Sequence, residues 1–146
     1  PQWRKDFIIG ILVMFFTAAL WTPFALLLNS FEPVYFHQIP QSVQSRSTLS
    51  QCLSFVMATA STGFAEELLT RGYLISRLCR LISPWNSVVL SAVIFSVWHI
   101  SQGFFGVAYT FIWGLVYGYT FTKVGRIWPL AFGHIMNNLI FEIAAS

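Results

Sequence analysis

Two stretches of the chain carry no Asp, Glu, Lys or Arg: Phe7 to Leu28, 22 residues, and Leu81 to Thr122, 42 residues. A membrane helix needs about 20 apolar residues, so the first run predicts one span and the second predicts two. Between them, a helix starting near Ser47 or Thr48, either of which can cap it, is predicted to continue to about Leu81, where Ser83-Pro84 breaks it. The third span is placed over Trp85 to Ile100. Ser101-Gln102-Gly103 then makes a tight turn into the fourth, Phe104 to Thr122. Trp128-Pro129 opens a fifth, with proline where its missing N–H does no harm. Pro23 marks a kink near the far end of the first span. Asn29 to Ser50 holds Glu32, Pro33, Pro40, Arg46 and a Gln-Ser-Val-Gln-Ser-Arg-Ser run, and it reads as an extramembrane loop. The expected architecture is all-α, a polytopic transmembrane bundle of about five spans forming one membrane domain over residues 1–146. Because the chain begins at Pro1 and stops soon after the last apolar run, it reads as a fragment.

Composition agrees: 56% of residues are hydrophobic and 9% charged, against about 25% charged in an ordinary soluble domain. The basic residues test the topology independently, since they gather on the cytoplasmic side of membrane spans. Arg4 and Lys5, Arg77 and Arg80, and Lys123 and Arg126 all fall on one predicted side, with only Arg46 opposite. The amino terminus is therefore expected to be cytoplasmic, in a membrane of the bacterial inner type. The net charge of +3 is explained by this topology and not by a nucleic-acid surface. Arg4 and Lys5 ahead of an apolar run imitate a signal peptide, but the run exceeds a signal core of about 7 to 15 residues and no A-x-A site follows. Cys52 and Cys79 have no metal-ligand spacing and are expected as small buried apolar side chains.

Against this background two adjacent acids stand out, Glu66 and Glu67, in Ala-Glu-Glu-Leu-Leu-Thr-Arg; the whole chain has five. Ionisable groups at bilayer depth face the protein interior and mark working sites. Glu67 and Arg71 are four apart with the acid first, the favoured order for a helical ion pair. Glu66 points about 100° away and lacks that partner. Three more polar residues lie in later spans: His99, one turn after Phe95, and His134 with Asn138, four apart on one face of the fifth. Counting about 1.5 Å of rise per residue from the basic end puts Glu66, His99, His134 and Asn138 roughly 16, 20, 12 and 18 Å up their helices. Helices that are distant in sequence thus bring polar groups to one depth, near the middle of a ~30 Å core. Phe95 is expected to pack, and Glu67 with Arg71 to brace the helix.

The set Glu66-Glu67-x-x-x-Arg71, Phe95-x-x-x-His99 and His134-x-x-x-Asn138 resembles the ordered motifs of the CAAX prenyl protease type II family, also called CPBP or Abi intramembrane proteases. The resemblance covers about 51–138, the expected catalytic core. It implies a membrane endopeptidase in which Glu66 activates water, His99 helps to hold that water, and His134 and Asn138 stabilise the oxyanion. Glu67 and Arg71 would support the site. This chain has about five spans where the prenyl proteases have more, and nothing in it identifies a CAAX substrate.

A carboxylate beside a water it can deprotonate, and donors aimed at a developing oxyanion, meet the two needs of peptide hydrolysis. Zinc is the alternative, with Glu66, His99 and His134 as three ligands and one open position. No HExxH is present. The resemblance favours a reaction without a cofactor. The expected partners are membrane lipid and a membrane-associated peptide or protein substrate. Two other classes compete: a non-catalytic membrane scaffold or bacteriocin-immunity-type protein of the same fold, and a proton-coupled carrier. Five spans without an inverted repeat give the carrier little material for alternating access.

Overall fold

The charge-free runs become helices that end where the chain supplies a stop. The computed structural model describes residues 1–31 and 49–144, the side chains of 24–31 and 141–144 excepted. Helix α1 is Gln2–Phe31 and runs through Pro23. It thus takes in Asn29 to Phe31, which the sequence assigns to a loop. Helix α2 is Leu49–Glu67 and continues without interruption as a π-helical segment, Leu68–Ile75, and a closing α turn, Ser76–Leu78. The rest of the expected loop, with Glu32, Pro33, Pro40 and Arg46, and the candidate caps Ser47 and Thr48 lie outside the described residues.

Helix α3 is Pro84–Trp98. Ser83 caps it by accepting from the Asn86 N–H at 3.2 Å, and Pro84 occupies the first turn, where no intrahelical donor is needed. His99 lies just past its last residue, and a 3₁₀ turn, Ile100–Gln102, leads into α4, Gly103–Val124. Gly125 terminates α4 in the left-handed conformation (φ 68°), its N–H closing on the Phe121 carbonyl at 2.8 Å, and α5 follows over Trp128–Ala144. No strand occurs among the described residues.

Helices α3 and α4 make the most extensive contact, α1 and α2 both lie against α5, and the π segment touches α3 and α4. Small residues permit these approaches, as expected where lipid supplies no hydrophobic drive between helices. A Cβ at Gly114 would sit 3.1 Å from the Ala92 backbone, and one at Gly118 would sit 3.0 Å from Val88. The α1–α5 contact is closer still: a Cβ at Gly133 would lie 2.6 Å from the Gly10 carbonyl oxygen.

Polarity is inverted relative to a soluble domain. Glu67, Thr70, Arg71, Ser87, Ser91 and His134 are buried, while Leu12, Phe15, Met57, Leu69, Val97 and Ile112 are exposed. A continuous apolar exterior of this kind belongs in lipid. Gln2–Pro23 and Ile100–Val124 are long and apolar enough to cross a membrane, and Pro84–Trp98 is apolar but shorter. The chain is an all-α membrane helix bundle. Arg126 grips Asp6 Oδ1 through Nη2 at 2.7 Å and Nε at 3.2 Å. Ser76 lines a groove with Gly125 and Arg126, so the three basic clusters gather at one end of the bundle. Cys52 and Cys79 are exposed, not buried as expected; on the outside of α2 the Cys52 thiol meets lipid and gains nothing from burial, and Cys79 lies in the turn between Arg77 and Arg80 at the basic end.

Gly10 and Gly133 are the tightest points between α1 and the helix that carries His134. Gly133→Ala is expected to destabilise the bundle by about 1–3 kcal/mol through overpacking against backbone that cannot give way. Thermal unfolding of the purified protein measures this, and a variant as stable as the wild type would contradict the packing.

Candidate active site

The site grows from the segment where α2 turns into a π-helix. One more residue per turn re-aims the side chains that follow the acid pair, and such segments recur at functional positions. Thr70 and Arg71 lie in it, and both point inward. Thr70 Oγ1 donates to the Glu66 carbonyl at 2.6 Å and accepts from Arg71 Nη1 at 2.6 Å. The Thr70 carbonyl accepts from Ser91 Oγ on α3 at 3.0 Å, which ties that helix to the segment.

Arg71 is 1% exposed and Glu67 is wholly buried. Their ion pair is 3.1 Å long, as the i,i+4 spacing predicts. A second guanidinium nitrogen reaches the Gly114 carbonyl on α4 at 3.4 Å. The guanidinium also lies over three rings, 4.8 Å from Phe95, 5.2 Å from Trp113 and 5.6 Å from Tyr117. Removing a cation from water is costly, and here one carboxylate, a hydroxyl, a carbonyl and three aromatic faces offset that cost.

His134 stands between the two acids. Its Nδ1 lies 2.9 Å from Glu67 Oε1, and its Nε2 lies 3.6 Å from Glu66 Oε2. An ionised carboxylate only accepts, so Nδ1 carries a proton and donates it to Glu67, which leaves Nε2 facing Glu66. Glu67 thus has two duties, the expected pairing with Arg71 and an unforeseen one, the orientation of His134. Glu66 is a quarter exposed and makes no contact with Arg71, as expected; its nearest partner is the histidine.

His99 caps α3 and is half-buried, its Nδ1 donating to the Phe95 carbonyl at 2.9 Å and its Nε2 left available. Phe95 is buried between both histidines, its ring centroid 4.6 Å from His99 and 6.4 Å from His134. The two imidazoles are therefore separated by no more than those distances together. Asn138 lies one turn along α5 from His134, half-buried, with no side-chain hydrogen bond among the described residues. Glu66, Glu67, Arg71, Phe95, His99 and His134 are thus joined by direct contacts, and Asn138 is joined to them only through its helix.

Sequence reasoning passed over Trp113 and Tyr117 on α4. They stack on each other at 3.6 Å, and Trp113 meets His134 edge-on at 4.4 Å. Their four-residue spacing was visible, but aromatic pairs at that spacing usually only pack. Among the described residues no three His, Cys, Asp or Glu side chains are placed to hold a metal ion. His134 and His99 each have one ring nitrogen committed within the protein and one left over.

Residues 48–140 match the family model described as Type II CAAX prenyl endopeptidase Rce1-like. No curated protein and no solved structure matches the chain. The matched residues make up well over half of the chain and take in both acids, Arg71, Phe95, His99, His134 and Asn138. The chain belongs to the Rce1-like family of type II CAAX prenyl endopeptidases, integral membrane proteases.

Proposed function

We propose that this protein is an intramembrane endopeptidase that hydrolyses peptide bonds of membrane-associated proteins or peptides with a water activated by Glu66, without a metal. The observation that carries this reading is the unequal state of the two acids around one imidazole. Glu67 is buried and held by Arg71 and His134, while Glu66 is open to a quarter of its surface, with His134 Nε2 at 3.6 Å and no ion pair to Arg71. One carboxylate is fixed and the other is available, as a general base must be.

In the proposed reaction Glu66 takes a proton from a water held with the help of His99, and the hydroxide attacks the scissile carbonyl carbon. The oxyanion that forms is met by His134 Nε2–H and the Asn138 amide. The C–N bond then breaks, and the proton on Glu66 passes to the departing amine. A donor at Nε2, with Nδ1–H already given to Glu67, means a doubly protonated ring. The flanking carboxylates of Glu66 and Glu67 are its counter-charges. The basic clusters at one end of the bundle support a cytoplasmic amino terminus, and therefore substrate cleavage within reach of the cytoplasmic leaflet.

The two acids separate by substitution. Glu66→Gln keeps the shape and removes the base, so peptide cleavage in lipid vesicles is expected to fall by at least about a hundredfold with melting unchanged. Glu67→Gln strands Arg71 and releases His134, costing about 3–5 kcal/mol and lowering the yield of folded protein. Glu67→Gln folding normally while Glu66→Gln remains active would reverse the assignment.

Metal dependence is decided separately. Activity is expected to survive exhaustive treatment with a strong chelator. His134→Ala and Asn138→Ala should each slow turnover by about a hundredfold or more, the usual loss for an oxyanion donor. Zinc at one equivalent per chain, with activity tracking its content, would replace this mechanism with one in which Glu66, His99 and His134 are ligands.

A further inference from the structure

Three buried side-chain atoms among the described residues have no hydrogen-bond partner: Glu67 Oε2, Arg71 Nε and Tyr117 Oη. Buried polar atoms are nearly always satisfied, so each such atom calls for an explanation. These three belong to one cluster. Glu67 and Arg71 are paired at 3.1 Å, the guanidinium lies 5.6 Å from the Tyr117 ring, and Tyr117 is within electrostatic reach of both. The Tyr117 hydroxyl points at α5 beside Gly133, where a Cβ would come within 3.1 Å of it. The next residue is His134, whose Nδ1 is bonded to the other oxygen of Glu67.

We infer that Glu67 Oε2, Arg71 Nε and Tyr117 Oη form a binding site for one buried water, through which Tyr117 positions the Glu67–His134 pair. The donors and acceptors match. A buried water makes about three hydrogen bonds, and here it accepts from Arg71 Nε–H and Tyr117 O–H and donates to Glu67 Oε2. No other donor is then needed to complete the carboxylate, which keeps Oε1 aimed at His134. This water is distinct from the hydrolytic one: Tyr117 is fully buried, whereas Glu66 is a quarter exposed. Gly133 leaves room for the hydroxyl, which gives the residue before His134 a second reason to lack a side chain.

The inference rests on the hydrolytic reading for its kinetic consequence but not for the water. A structure of the whole protein in lipid, at a resolution that shows ordered water, is expected to place one oxygen within 3.2 Å or so of all three atoms. Tyr117→Phe removes one donor without changing shape. It is expected to lower kcat about tenfold, the worth of a hydrogen bond in a charged network, while KM and the melting temperature stay near wild type. A purely structural tyrosine would instead lower stability and leave kcat per folded molecule unchanged, and that result overturns the positioning role. The absence of the ordered oxygen in the wild type overturns the site itself, even if Tyr117→Phe fails to fold. Should the wild type cleave no peptide, the hydrolytic reading falls while the ordered oxygen still decides the water site.

Discussion

The burial of Arg71 is the constraint on which the rest of the structure depends. A guanidinium cannot lose its proton, so a bundle that encloses one must bring counter-charge and acceptors to it from several helices. Glu67 and Thr70 come from its own helix, the Gly114 carbonyl from α4, and the rings of Phe95, Trp113 and Tyr117 from α3 and α4. Satisfying this one cation therefore fixes the mutual placement of three helices. Glu67, held on one side by the cation, then holds His134 of α5 on the other. The arrangement of Glu66, Glu67 and His134 is a by-product of neutralising a buried charge.

Much of this was legible in the chain. The charge-free runs marked three of the five helices, and Ser83-Pro84 and Trp128-Pro129 marked the starts of α3 and α5, because each is a local rule about length, caps or missing donors. That Glu67 and not Glu66 pairs with Arg71 followed from spacing and angular separation alone. The link from Glu67 to His134 was not legible. It joins residues 67 positions apart and depends on how α5 rotates against α2, which interhelical packing decides. The π segment had no marker either: Leu68–Ile75 reads as ordinary helix, and only the need to bury both Thr70 and Arg71 reveals the wider turn. The outward cysteines show the same limit, since hydropathy alone does not separate a lipid-facing side chain from a buried one when both environments are apolar.

Helix α1 lies outside the matched residues 48–140, yet it bears on the site. Its Gly10 presses backbone to backbone on Gly133, and Val13, Met14 and Thr17 are buried behind it. Helix α1 thereby fixes how closely α5, which carries His134, packs into the bundle.

The same logic bears on why two acids are needed where one base would suffice. A lone carboxylate next to His134 would have to serve as its counter-charge and as the proton acceptor at once. Drawing close to the imidazole would then compete with approaching water. With Glu67 bonded to Nδ1 at 2.9 Å and Glu66 left 3.6 Å from Nε2, the first acid takes up the orientation of the ring and the second stays at a distance that a reacting group can enter. A bond to Glu67 near 2.9 Å is strong and charge-assisted, whereas a 3.6 Å separation lies beyond a good hydrogen bond and holds neither partner in place. The adjacency of Glu66 and Glu67 in sequence therefore matters less for their proximity than for the roughly 100° between them, which sends one acid to Arg71 and the other to the Nε2 side of the same imidazole.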